Sequence, residues 1–158
     1  EYAMKIIKLE DKKTENKLLD LYYKIESYEE VDNFLTKLKK KKITTCILSN
    51  GSLDMLNAAI NNSKLKNKID KVLSVDMCKK YKPCKEVYKL VMKEFRVNKV
   101  DIIFFSSNSW DVHGASFFGY KTVWVNRFNK PDDILPGKPD IEIKNLNDFN
   151  LNQKFSKI

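Results

Sequence analysis

Apolar residues recur along this chain with two different spacings, and the order of the spacings predicts the order of helices and strands. Spacings of three and four residues predict one helix from about Lys12 to Ile25 and a second that begins at about Tyr28. Four later runs are short and rich in β-branched or aromatic residues, which is typical of buried strands. These runs are Ile43–Asn50, Lys71–Asp76, Asp101–Ser107 and Lys121–Asn126.

Helical spacing returns between these predicted strands. The helices are expected to begin at Ser52, to cover Lys85–Phe95 and to cross Val112–Phe118, and the tail contains a short edge strand at Ile141–Ile143. Strands that alternate with helices of this length indicate βαβ units, so the predicted fold class is α/β with a parallel sheet.

Composition favours one compact unit, because 158 residues with 42% hydrophobic content can form a single core. The sequence has no run of roughly 18 apolar residues and no signal-peptide pattern, which predicts a soluble, cytoplasmic protein. Cys46, Cys78 and Cys84 are odd in number and lack CxxC spacing, so we expect free thiols rather than disulfides or a zinc site.

The formal net charge of +9 raises the question of nucleic-acid binding. Arg96 and Arg127 are the only arginines, and the lysines are spread over nearly every segment without interleaved aromatic residues. The densest cluster, Lys37–Lys42, ends a predicted helix, where cations also complement the helix dipole. A solvated lysine surface is therefore favoured over a nucleic-acid partner.

Polar residues follow three of the predicted strands. Ser49 and Asn50 follow the first strand, Lys82 comes shortly after the second, and Ser106 to Asp111 follow the third. Because parallel strands end at one edge of a sheet, these groups are expected to converge on one pocket. Each also has a simpler interpretation, as turn chemistry, a helix cap or a solvated lysine.

The stretches ILSNGS, YKPCKEVY and FFSSNSWDVHGASFFGYKTVWVNR resemble the haloacid dehalogenase superfamily, and within it the type II (S)-2-haloacid dehalogenases. The resemblance covers roughly Tyr22 to Arg127. It implies a Rossmann-like core over residues 41–158, preceded by a remnant of a helical cap over residues 1–40. It also implies hydrolysis of short 2-haloalkanoic acids, with inversion, through an ester on an aspartate nucleophile, and no cofactor.

The resemblance implies four catalytic residues in this sequence. Lys82 matches a lysine that pairs with the nucleophile, whereas Ser106, Asn108 and Asp111 match a group that organises this lysine and the hydrolytic water. A phosphatase of the superfamily binds magnesium through acidic residues, one of them early in this turn. Ser106, Ser107 and Asn108 stand in that part of the turn, so no metal is expected.

The resemblance also implies four substrate-binding residues. Ser49 and Asn50 match positions that hold the substrate carboxylate and the departing halide, Tyr88 matches a residue of the active-site lining, and Trp110 matches an aromatic wall of the halide pocket. Sequence reasoning alone gives Trp110 a packing role. His113, the only histidine, is expected to have a structural or surface role.

The sequence departs from the family at the nucleophile. It has no Asp-x-x-Gly-Thr motif, neither Asp11 nor Asp20 has the context of one, and no arginine precedes Arg96 to hold the halide. We therefore expect a truncated member that lacks its first strand and is inactive alone. A non-catalytic protein that binds small carboxylates and a phosphatase are the alternative functions.

The missing strand would leave a gap in the middle of the sheet. Three hypotheses cover the gap: the flanking strands close up, another chain donates a strand, within a homodimer or from a different partner, or Tyr2–Leu9 fills it.

Overall fold

A computed structural model describes residues 2–9, 11–63 and 65–152. The strands are β1 (Cys46–Ser49), β2 (Lys71–Ser74), β3 (Ile103–Ser106), β4 (Lys121–Val125) and β5 (Ile141–Ile143). The helices are α1 (Tyr2–Ile6), α2 (Lys12–Tyr23), α3 (Glu29–Lys40), α4 (Leu53–Asn62), α5 (Lys85–Phe95) and α6 (Ser109–Phe118). Within these residues, no helix is both long enough and apolar enough to span a membrane.

All strand pairs are parallel, as the alternation of elements predicts. β1 pairs with β2, with Ser49 opposite Ser74, whereas β3, β4 and β5 form a second sheet in that order, with Ser106 opposite Trp124. The predicted edge strand at Ile141–Ile143 is confirmed as β5. The chain therefore has the predicted α/β architecture.

α6 differs from its predicted bounds, because it begins at Ser109 rather than Val112. Its first turn consists of Ser109, Trp110 and Asp111, and one apolar residue between two polar ones shows no apolar periodicity that would mark the turn as helical. The earlier start is important, because it places Asp111 inside a rigid helix at the carboxyl end of β3. Ser52 caps α4 as predicted, with its hydroxyl accepting from Met55 N–H at 3.4 Å.

The buried residues form two main clusters. The first joins α5, β1 and β2 to α6, which itself lies against β3 and β4, and its fully buried members are Leu73, Val87, Tyr88 and Ala115. The second packs α3 on β4 and β5 and contains Phe34, Val123, Val125, Ile143 and Leu146. Through Phe34, α3 shares the packing of the core, and the division of the chain near residue 40 remains a prediction.

β1 and β3 are each the edge strand of their sheet, and they are not paired with each other. The hypothesis that the flanking strands close up is therefore wrong for this structure. The hypothesis that Tyr2–Leu9 fills the gap is also wrong, because Tyr2–Ile6 forms α1 and not a strand. Of the three hypotheses, only donation of a strand by another chain remains as a prediction.

Candidate active site

Lys82 and Asp111 form an ion pair at the carboxyl ends of the strands. Lys82 lies in the loop between β2 and α5, and its Nζ is 2.5 Å from Asp111 Oδ2. Only 9% of the Lys82 side chain and 2% of the Asp111 side chain are exposed. Removing two charges from water is costly unless further hydrogen bonds satisfy both groups, so the surrounding donors and acceptors decide whether this pair is tolerated.

The Asp111 carboxylate receives two more hydrogen bonds. The Tyr88 hydroxyl donates to Oδ1 at 3.0 Å, and the Ser106 hydroxyl donates to Oδ2 at 3.2 Å. Burial and the negative charge of Asp111 both raise the pKa of Tyr88, so this phenol stays neutral and remains a donor. Three donors from three segments thus hold the carboxylate in one orientation.

Lys82 is fixed at both its main chain and its side chain. Its N–H donates to Asn50 Oδ1 at 2.8 Å, and Nζ donates to the Leu48 carbonyl at 3.2 Å. An ammonium has three N–H groups. Within the described part of the chain, Asp111 and Leu48 accept from two of them, which leaves a third for a bound ligand.

The turn after β3 is held by its own side chains and by β4. Asn108 N–H donates to Ser106 Oγ at 3.2 Å. Trp124 Nε1 donates to the Ser107 carbonyl at 3.4 Å, and Arg127 Nη1 donates to Ser107 Oγ at 3.1 Å. The polar turn therefore has a defined position, although it is close to the surface.

A cavity of about 370 Å³ lies between β1 and β3 at this edge. Its lining is polar at the carboxyl end of the strands and apolar along them. The polar residues are Lys82, Ser106, Ser107, Asn108, Asp111 and Arg127, and the apolar residues are Leu48, Phe104, Phe105, Val125 and Leu146. All four residues expected to be catalytic thus meet at one cavity.

The four residues expected to bind substrate lie outside this lining. Ser49 Oγ accepts from Gly51 N–H at 3.0 Å, and Asn50 accepts from the Lys82 main chain. Tyr88 is fully buried behind Asp111, and Trp110 is partly exposed on α6. Their roles in substrate binding remain predictions, and the structure gives Asn50 and Tyr88 clear roles in supporting Lys82 and Asp111.

Sequence reasoning assigned no role to Arg127 or Ser107, although both line the cavity. Two features of the sequence could have identified Arg127 as a site residue: it is one of only two arginines, and it follows the end of a predicted strand. Ser107 stands between two residues that were singled out, and nothing in its type distinguishes it from ordinary turn chemistry.

Neither a reactive thiol nor a metal centre lies at this cavity among the described residues. The three cysteines are free, as predicted, and burial raises the pKa of the Cys46 thiol to about 12, which disfavours the reactive thiolate. In the described ranges, no group of three or more His, Cys, Asp or Glu side chains is arranged to hold a metal ion.

His113, on the following turn of α6, is buried and has the predicted structural role. Its Nδ1 is 2.7 Å from the Gly137 carbonyl, and its Nε2 is 2.8 Å from Asp132 Oδ1. Both partners only accept hydrogen bonds, so the arrangement suits an imidazolium that carries a proton on each nitrogen. Burial lowers the pKa of His113, but its hydrogen bonds, chiefly those to Asp132 and Gly137, and the negative charge of Asp132 together outweigh burial and raise it overall.

This raised pKa predicts a dependence of stability on pH. The contribution of His113 is complete below its ordinary pKa of about 6.5 and is lost as the pH rises through the higher pKa of the folded state. Urea unfolding between pH 6 and pH 9 should therefore show a falling free energy of unfolding. The variant His113→Gln should flatten this dependence, and an unchanged slope in the variant would contradict the assignment.

The chain is similar over most of its length to one family of enzymes. The family model described as "Haloacid dehalogenase-like hydrolase" matches residues 3–125. An (S)-2-haloacid dehalogenase of Pseudomonas sp. (strain YL) is 35% identical over 136 residues, which are 86% of this chain and 59% of that protein. The (S)-2-haloacid dehalogenase 1 of Pseudomonas sp. (strain CBS-3) is 40% identical over 125 residues, 79% of this chain and 55% of that protein.

Solved structures give the same result. The L-2-haloacid dehalogenase from Xanthobacter autotrophicus, with chloropropionic acid covalently bound, superposes with a TM-score of 0.85 at 27% identity, over 93% of this chain and 69% of that one. The chain spans less than two thirds of the length of the two Pseudomonas relatives.

Proposed function

Because the chain belongs to the haloacid dehalogenase-like hydrolase family, we propose that it supplies the lysine-bearing part of an (S)-2-haloacid dehalogenase active site. The attacking carboxylate comes from a strand beyond these 158 residues, in the same polypeptide or in a partner, since the printed sequence has no Asp-x-x-Gly-Thr motif. The observation that carries the proposal is the buried Lys82–Asp111 pair on a cavity between two unpaired strand edges.

The reaction is a displacement followed by ester hydrolysis. A carboxylate oxygen attacks C2 of the 2-haloacid, the carbon–halogen bond breaks, and the halide leaves with the electron pair. Water then attacks the carbonyl of the enzyme ester, which releases a 2-hydroxy acid, restores the carboxylate and gives one proton to the solvent. Chloropropionic acid bound covalently to the Xanthobacter relative supports the covalent step.

Lys82 is the electrostatic centre of this proposal. Asp111 and Leu48 O accept from two of its N–H groups and leave the third for a ligand, so an incoming carboxylate is held in its ionised form and oriented toward the cavity. Ser106 and Asn108 provide polar groups for the hydrolytic water on the same cavity wall. The role of Asp111 is to orient Lys82, because its oxygens are already engaged.

The unpaired edges of β1 and β3 support the proposal of a donated strand. An edge strand presents a row of unpaired N–H and C=O groups that can pair with a further strand. The cavity between these edges is apolar along Phe104 and Phe105 and polar next to Lys82, which suits an apolar strand that ends in a carboxylate. The donor is a second copy of the chain, a different protein or a further segment of the same polypeptide.

A non-catalytic protein that binds small carboxylates is the second candidate. The polar side chains around the cavity favour this candidate. They are two cations, Lys82 and Arg127, and three hydroxyl or amide groups, Ser106, Ser107 and Asn108. A metal-dependent phosphatase is less well supported, because Asp111 is the one acidic side chain in the described lining and it is paired with Lys82.

The test is halide release from (S)-2-bromopropionate. We expect none from the folded chain alone, and release after addition of an apolar peptide that ends in Asp-x-x-Gly-Thr. The matched control is the same peptide with Asn in place of Asp, which should be inert, as should the Lys82→Ala chain with the active peptide.

Each other result has a separate meaning. Release by the chain alone, lost on Lys82→Ala, would show that a carboxylate or water within these 158 residues replaces the donated aspartate. Saturable binding of (S)-2-bromopropionate to the chain without turnover, with or without bound peptide, would favour the binding protein. Peptide binding without either turnover or ligand binding would contradict both candidates.

A further inference from the structure

The Arg127 guanidinium connects three segments that are distant in sequence. Nε and Nη2 both donate to Glu30 Oε1, at 3.1 and 2.6 Å, at the start of α3. The guanidinium also lies 4.0 Å from the centre of the Tyr28 ring, which precedes that helix. Its remaining terminal nitrogen, Nη1, donates to Ser107 Oγ at 3.1 Å in the turn after β3.

The Arg127–Glu30 pair is well shielded from water. Only 13% of the Arg127 side chain and 8% of the Glu30 side chain are exposed. Burial raises the pKa of Glu30, but the hydrogen bond and the charge of Arg127, together with backbone hydrogen bonds, outweigh burial and lower it overall, so Glu30 stays charged. Buried ion pairs contribute little net stability on average. The Arg127–Glu30 pair is therefore better explained by the geometry that it fixes.

The geometry of Ser107 shows what this pair fixes. Ser107 is held at its carbonyl by Trp124, in β4, and at its hydroxyl by Arg127, two residues beyond the end of β4. On one side of Ser107, Ser106 donates to Asp111, and on the other side Asn108 N–H donates to Ser106. Any shift of Ser107 therefore moves two groups that line the cavity.

We propose that Arg127 is a positioning residue, which fixes the turn of Ser106 and Asn108 through Ser107, with Glu30 and Tyr28 as its anchor. The planar fork of an arginine places donors toward Glu30 and Ser107 at the same time, whereas a lysine ammonium on a flexible stem cannot reproduce both directions and the contact with Tyr28. The importance of the turn for catalysis rests on the proposed function, but the contacts themselves are independent of it.

The experiment follows the side-chain amide of Asn108 and the backbone amide of Asp111 by ¹⁵N NMR in the 158-residue chain. Arg127→Lys is expected to shift both resonances, although neither residue adjoins Arg127 in sequence. The matched control is Arg96→Lys, the same change at the other arginine, which is exposed and should leave both resonances in place.

A double-variant comparison tests whether Ser107 carries the effect. In the Ser107→Ala background, adding Arg127→Lys should move the two resonances no further, because the connecting hydroxyl is gone. This comparison cancels the direct effect of the alanine on its neighbours. Unmoved resonances in folded Arg127→Lys, or an equal shift with and without the Ser107 hydroxyl, would overturn the proposal.

If Arg127→Lys does not fold, Glu30→Gln tests the same proposal. It keeps Arg127 and Ser107 but weakens the anchor, so it should shift the same two resonances in the natural background and not in Ser107→Ala. Resonances that stay in place in Glu30→Gln would overturn the proposal. No substrate is involved, so failure of the dehalogenation experiment and failure of this one are separate results.

Discussion

Replacing Lys82 with methionine is expected to lower the free energy of unfolding by about 3–5 kcal/mol. Methionine keeps most of the length of the side chain but removes the ammonium 2.5 Å from Asp111. Among the described residues, the carboxylate, 2% exposed, would then have no counter-ion and would keep the Tyr88 and Ser106 hydroxyls as its side-chain donors. Urea unfolding at pH 7 measures the loss.

Two further variants show whether the loss comes from the unpaired charge. Asp111→Asn, added to Lys82→Met, removes this charge and should recover much of the lost stability. Lys71→Met is the matched control, because Lys71 also pairs with a carboxylate, Glu94, but at a partly exposed site where ion pairs contribute about 0–1 kcal/mol. Equal losses in Lys82→Met and Lys71→Met would contradict a buried, energetically coupled pair.

Replacing Gly137 with alanine is expected to detach the loop of residues 128–140 from α6. Gly137 has a φ of +84°, and an added Cβ would lie 2.5 Å from the His113 carbonyl oxygen and 2.8 Å from Phe117 N. Both atoms belong to the helix backbone and cannot rotate away. The strained φ and the overpacking each cost roughly 1–3 kcal/mol, which the protein relieves by releasing the loop.

The single histidine makes this release measurable. Loss of the Gly137 carbonyl and of Asp132 removes the two bonds that raise the pKa of His113. NMR titration of the one imidazole in the chain should therefore give a lower pKa in Gly137→Ala. The control is Gly51→Ala, where the nearest atom is a Leu56 side-chain carbon at 3.3 Å, and its histidine should titrate as in the unchanged chain. An unchanged His113 pKa in Gly137→Ala would mean that the loop stays in place.

The family, and the dehalogenase group within it, was predicted from three short motifs. Much of the site was predicted from the position of these motifs at the ends of the strands. Polar residues after the strands predict a meeting point, because parallel strands end at one edge of a sheet whatever their distance in sequence. Lys82, Ser106, Asn108 and Asp111 do line one cavity there. Tyr88 was expected at the lining of the cavity, but it lies behind Asp111. This position depends on how closely α6 approaches α5, and the distance between two helices cannot be predicted from hydrophobic periodicity.

By itself, the sequence determined the order of helices and strands from Lys12 onward, the parallel pairing and the candidate edge of the sheet. These properties follow from hydrophobic periodicity and from the connections between neighbouring elements, which are local. Only the tertiary structure decided that β1 and β3 are not paired with each other, that Tyr2–Ile6 is helical and that Arg127 reaches both Glu30 and Ser107. Glu30 and Arg127 are 97 residues apart, and the orientation of a side chain toward so distant a partner is set by packing, which leaves no pattern in a single sequence.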